Sequence, residues 1–169
     1  NSLVNHNVIT LHNGITRNRL DLVFKGEGAE CHCNGCVIAD KDQHVDNNTL
    51  IDHRVPHCTS NELYKYVLDD NAVGAFAGRV LVRQEAQKTV SQETNQNLCA
   101  TKTAHMFTQP MLEIYADDVK CVMTIVAFSG LRSSFTPLAT IRRASISRPL
   151  SASSRIASLG SSIAIWKIS

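Results

Sequence analysis

The feature that most constrains this sequence is how often its apolar runs are interrupted. Between Leu3 and Cys121, apolar or alternating runs are cut short by Asp, Asn or Gly before any of them reaches helical length. Leu20-Asp-Leu-Val-Phe24 stops at Gly26-Glu-Gly28. Val37-Ile-Ala39 runs into Asp40-Lys-Asp42, and Thr49-Leu-Ile51 runs into Asp52-His53. Leu63-Tyr-Lys-Tyr-Val-Leu68 alternates with period two and ends at Asp69-Asp-Asn71. Residues 75–82 and Leu112-Glu-Ile-Tyr115 close the series. Alternation between turn-forming residues specifies strands, because successive side chains on a strand point to opposite faces. The sequence predicts an all-β chain.

Many short strands close into a sandwich or barrel, or stack as a solenoid whose coils pack only on their neighbours. The run Ser91-Gln-Glu-Thr-Asn-Gln-Asn97 favours the second. In a two-sheet sandwich such a polar run makes a loop. In stacked coils its side chains form hydrogen-bonded ladders with the coils above and below. At 169 residues the chain is long enough for one domain with a sizeable core.

Composition divides the chain at Cys121. All 15 acidic residues lie from Asp21 to Asp118, and all seven His and six Cys fall at or before position 121. Residues 122–169 hold six Lys or Arg, twelve Ser and no acid. Such a tail is suited to nucleic acid or a membrane surface, or to solvated disorder. Yet Ile125, Val126, Phe128, Leu131, Phe135, Ile163, Ile165 and Trp166 make it more apolar than a solvated tail. A stretch that is apolar, basic, Ser-rich and acid-free resembles translation in a wrong reading frame, so neither nucleic acid nor membrane is expected as a partner. The expected division is a core over residues 1–121 and an atypical, irregular or disordered tail over residues 122–169. Asn1 in place of Met fits a processed chain or a fragment. No run in residues 1–20 resembles a signal peptide, and no stretch approaches the roughly 18 apolar residues of a membrane span. A cytoplasmic location with free thiols is the expectation.

Several stretches carry a resemblance: residues 13–20, Gly26-Glu-Gly-Ala-Glu30, residues 40–46, residues 56–65, Gly74-Ala-Phe-Ala-Gly-Arg-Val80 and Gln87-Lys-Thr89. The most specific is Gln109-Pro-Met-Leu-Glu-Ile-Tyr-Ala-Asp-Asp-Val-Lys-Cys121. In these the chain resembles the SufB/SufD family of iron–sulfur cluster assembly scaffolds, on its SufD side, over about seven-tenths of its length. The resemblance implies a right-handed parallel β-helix flanked by helical segments. It implies a non-enzymatic role in a SufBCD-type complex, pairing with a SufB-like paralogue through the β-helix, with a SufC-like ATPase bound to C-terminal helices. It also implies a transient Fe–S cluster at the partner interface, with none held stably by this chain. In the family, Lys-Cys is followed by Ser-His-Gly-Ala-Thr-Val-Gly. Here Cys121 is followed by Val122-Met123-Thr124, so Met123 stands where the resemblance places the interface histidine. An impaired scaffold, without that histidine and without the SufC-binding helices, is the expectation.

The resemblance makes Cys121 a candidate soft ligand for iron, against the alternative of a buried structural thiol. Cys31-His-Cys-Asn-Gly-Cys36 is the second candidate, a Cys-rich metal-binding β module using Cys31, Cys33 and Cys36. Zinc or an Fe–S cluster takes about four such ligands, so Cys58 or His57 would have to complete it. Cys31 and Cys33 share a face on a strand, and Gly35 is expected to turn the chain before Cys36. Core-filling thiols are the competing reading. His44, His53 and His57 sit beside turns and read as hydrogen-bonded structural residues. Asp117, Asp118 and Lys120 could form an acid–base cluster, but read more simply as a charged turn. No Gly-rich phosphate loop is present, so ATP binding belongs to a partner.

Overall fold

The computed structural model describes residues 1–11, 14–129 and 138–147. Every regular element among the described residues is a strand: β1 (Leu3–Thr10), β2 (Ile15–Phe24), β3 (Glu30–Ala39), β4 (His44–His53), β5 (Thr59–Leu68), β6 (Val73–Val82), β7 (Val90–Cys99), β8 (His105–Thr108), β9 (Met111–Ile114), β10 (Lys120–Ser129) and β11 (Leu138–Ser147). Successive strands alternate between two sheets. One sheet has the order β1-β3-β5-β7-β10-β11. The other has the order β2-β4-β6-β8, with β9 also on β6. All pairings are parallel except β10 with β11. This is the expected solenoid, and the sandwich or barrel is set aside.

One coil is 29 to 31 residues long in the middle of the chain. The sequence hides this repeat because only the inward phase of each strand is constrained and the corners differ. Three corner residues do recur. Gly28, His57 and Lys88 stand at the same corner of successive coils, with φ of 64°, 58° and 57°. Only glycine adopts that left-handed conformation without a steric cost. Pro110 interrupts what would otherwise be one strand, since β8 and β9 continue the same register along β6 on either side of it. Proline has no N–H to give to the ladder.

The strands are longer than their apolar runs. β3 begins at Glu30 and takes in the whole cysteine segment. Gly35 does not turn the chain, as expected from sequence; it is a strand residue where a Cβ would collide with the Tyr64 ring. β7 is built from the polar run, and the expected ladders are present. Ser60 Oγ donates to Ser91 Oγ at 2.8 Å, and Asn18 Nδ2 donates to Asn47 Oδ1 at 2.9 Å. β10 crosses the expected boundary after Cys121 and runs to Ser129 in unbroken register with β7. Residues 122–129 lie in that strand. The remainder of the tail reading, on residues 130–137 and 148–169, lies outside the described residues.

The core has two apolar clusters. Near the ends of β3, β5 and β7, Val37, Tyr66, Leu68, Phe76 and Met106 pack together, and the Tyr64 and Phe76 rings stack with centroids 4.8 Å apart. Full burial of each such side chain stabilises by about 1.5–3 kcal/mol. Near the beginnings of the same strands the cluster is made of thiols and smaller groups: Cys31, Cys33, Cys58 and Cys121 with Ile51, Val80 and Val82.

Candidate functional site

Parallel stacking places residues of equal phase in straight columns along the solenoid axis. One inward column runs His6, Cys33, Glu62, Glu93, Met123, and its neighbour runs Val4, Cys31, Ser60, Ser91, Cys121. The second column holds a buried polar chain. His53 Nε2 lies 2.9 Å from Ser60 Oγ, which in turn donates to Ser91. The His53 ring stacks on Phe24 with centroids 4.4 Å apart. Burial holds His53 down to about 4, with Asp52 pulling the other way, so the ring is neutral near pH 7.

The first column is more unusual. Glu62 and Glu93 are partners in register on β5 and β7, each about 2 % exposed, and none of their four carboxyl oxygens has a hydrogen-bond partner. Burial pushes Glu62 up to about 7, and Thr49 pulls it back only slightly, its hydroxyl falling short of a full hydrogen bond. Burial and then the Glu62 charge raise Glu93 well above the ordinary carboxylate range. Sequence reasoning missed this pair. The signal was available: carrying the alternation of Tyr64, Tyr66 and Leu68 back two residues makes Glu62 inward, and Glu93 follows one coil later.

Of the expected metal ligands, Cys31 and Cys33 point inward and are buried, whereas Cys36 has the opposite phase and lies half-buried on the outer face. The strand thus keeps the three thiols from converging. Cys58 joins the inner cluster, its thiol directed at the Gly26 and Pro56 carbonyls, while His57 is exposed at the corner. Among the described residues, no group of three or more His, Cys, Asp or Glu side chains stands close enough to hold a metal ion. The Cys31 and Cys33 thiols contact each other. That hydrogen bond, with burial, keeps the proton on Cys31 and lowers Cys33, against the effects of burial and Glu62 on Cys33. A cavity of about 250 Å³ opens at the corner between β2 and β3, lined by Leu22, Phe24, Gly26, Ala29 and Cys31.

Cys121 is buried at the start of β10, and burial pushes its thiol up to about 11, with the Ser91 backbone pulling it back. A thiol held protonated is a poor ligand until it is deprotonated. Met123 lies inward beside Glu93. His44 is exposed at the start of β4. Asp117 and Asp118 form the corner before β10, where the Asp118 N–H donates to Gln87 Oε1 at 2.9 Å. On the outer face, Asp52 accepts from Arg83 Nε at 2.8 Å and from Arg54 Nε at 2.7 Å. Burial alone would raise Asp52, but these two guanidinium groups outweigh it and lower the pKa. Among the described residues no helix is long and apolar enough to cross a membrane.

Fold and interior together define a class: parallel two-sheet β-solenoids that carry thiols and acids on their inner columns. The family model for the SUF system FeS cluster assembly SufBD core domain matches residues 1–123, and the chain belongs to that family. It is 36% identical over 111 residues to the iron–sulfur cluster assembly protein SufD of Escherichia coli, covering 66% of this chain and 26% of that protein. It is 32% identical over 125 residues to an iron–sulfur cluster assembly SufBD family protein of Mycobacterium leprae, covering 70% and 32% respectively. A SufBD family protein of Synechocystis is 35% identical over 107 residues, covering 63% and 24%. The chain spans about a quarter to a third of the length of these relatives.

Proposed function

We propose that this chain acts as a scaffold element in a SufBCD-type iron–sulfur cluster assembly complex, without catalysis of its own, and that it is impaired in cluster formation. The carrying observation is the unbroken parallel stack up to β10, which presents coil edges to a second β-helix. Among the described residues nothing pairs with the outer edge of β8 and β9, and an unpaired edge is a template for a partner strand. The partner proposed for it is a SufB-like paralogue. Met123 offers a thioether where the family resemblance calls for an imidazole, and the nearby Cys121 thiol is buried and protonated. That environment supports a transient Fe–S cluster poorly.

The SufC-like ATPase is proposed to reach the complex through the partner, because the residues after Cys121 diverge from the family segment that leads into its binding helices. Co-purification tests both parts. The tagged chain is expected to retain a SufB-like protein and to retain no SufC-like ATPase when the SufB-like protein is left out. Met123→His is expected to increase the iron and sulfide recovered on the pair. Tight SufC-like binding by the chain alone, or no capture of a SufB-like partner, would contradict the reading.

A further inference from the structure

Glu62 and Glu93 are buried one coil apart with nothing to neutralise them. Space for them is built into the facing sheet, where a Cβ on Gly78 would collide with Glu93 Oε1. Around the pair stand Cys31 and Cys33 from β3, Tyr64 from β5, Thr49 from β4, and Gly78 and Phe76 from β6. His6 stands in the column two coils from Glu62, Met123 follows Glu93, and Ala144 of β11 is in register with Met123. His53, one column away, is neutral. Every Lys and Arg from β1 to β10 is exposed. Among the strands from β1 to β10, no cationic side chain stands beside the pair.

Stacked strands lie about 4.8 Å apart. Two carboxylates at that separation, away from water, cannot both stay ionised. A proton on one removes a like charge from the column and supplies a donor that the pair otherwise lacks. We propose that Glu62 and Glu93 form an interior proton-binding site, and that release of its protons to solvent base parts β5 from β7 and uncovers the Cys31 and Cys33 thiols. Ionisation puts two like charges on one column with no counter-ion, so water must enter. The device converts a change in pH into access to a buried dithiol.

The test follows amide hydrogen exchange across β5 and β7, corrected for the intrinsic pH dependence, together with alkylation of Cys33 read by mass spectrometry and normalised to the unfolded chain's thiol at each pH. Protection of both strands is expected to fall about tenfold or more between roughly pH 6 and pH 9, with a matching rise in Cys33 alkylation. In the Glu62→Gln/Glu93→Gln variant, which cannot ionise, both are expected to stay flat. The same pH dependence in variant and wild type would overturn the proposal. Should the variant fail to fold, infrared spectroscopy of the wild-type chain decides. A protonated-carboxyl band present near pH 7 and titrating away with the loss of protection supports the site, and its absence overturns it.

Discussion

The two halves of the interior are built on opposite principles. Around Phe76, the strand ends bury aromatic and aliphatic side chains that stack and satisfy themselves; Asn47 Nδ2 donates to Tyr66 Oη at 2.6 Å, and Tyr66 in turn donates to the Ala75 carbonyl at 2.8 Å. Around Glu62, the strand starts bury thiols, a neutral imidazole and two carboxyls with no partners. Burying a polar group without a hydrogen bond costs on the order of 1–3 kcal/mol in protein mutational data, so the second half forgoes stability that the first supplies. The contrast separates what holds the coils together from what can respond to a proton.

The sharpest way to break this contrast is to remove an anchor of the aromatic half. Phe76→Ala is expected to cost about 3–5 kcal/mol in chemical denaturation, since it empties the site against which Tyr64 stacks. A loss below about 1 kcal/mol would mean that this half is not the anchor.

The next effect in size is the pH dependence of stability. Glu62 titrates at about 7 in the fold, against roughly 4.3 unfolded. The folded chain holds the extra proton between those values. This contribution is complete below about pH 4 and is lost as pH rises through 7, and Glu93 acts in the same sense. His53 has the opposite sign. It is held at about 4 against roughly 6.5 unfolded, so its burial becomes costly as pH falls through that window. Stability is expected to fall from about pH 5 toward pH 8 as the two carboxyls lose their protons, with the relief at His53 offsetting part of that fall. Denaturation midpoints across that range check it, and a fall that shrinks in Glu93→Gln and is lost in Glu62→Gln/Glu93→Gln would sharpen the assignment.

Smaller effects come from the surface. Asp52 is lowered by its two arginines, so its contribution is present above its unfolded pKa and lost as pH falls through the folded one. Asp52→Asn is expected to lower the denaturation midpoint at neutral pH, and the difference from wild type is expected to shrink as pH falls below about 3.8, as urea titrations would show. Lys88→Gly relieves a left-handed residue at an exposed corner and is expected to raise stability by up to about 1 kcal/mol. Loss of stability there would show that the Lys88 side chain matters more than its backbone.

Strand identity and the stacked architecture were legible because alternation and Asp-rich turns are local signals. Strand length was not. Glu30 to Val37 and Val90 to Cys99 carry polar or thiol groups on the inward phase, and composition alone reads those as loops. The outward phase of Cys36 also escaped, because Gly35 resembles a turn but serves as clearance for Tyr64. The acid pair was the hardest to see, since it exists only once coil length is known and Glu62 is set beside Glu93.

Direct observation of that register is the most decisive experiment. Cross-strand nuclear Overhauser contacts are expected between β5 and β7 in parallel order, Ser60 with Ser91, Glu62 with Glu93 and Leu68 with Cys99. Contacts running in the reverse order along the two strands, or β5 paired with β6, would contradict the account at its root.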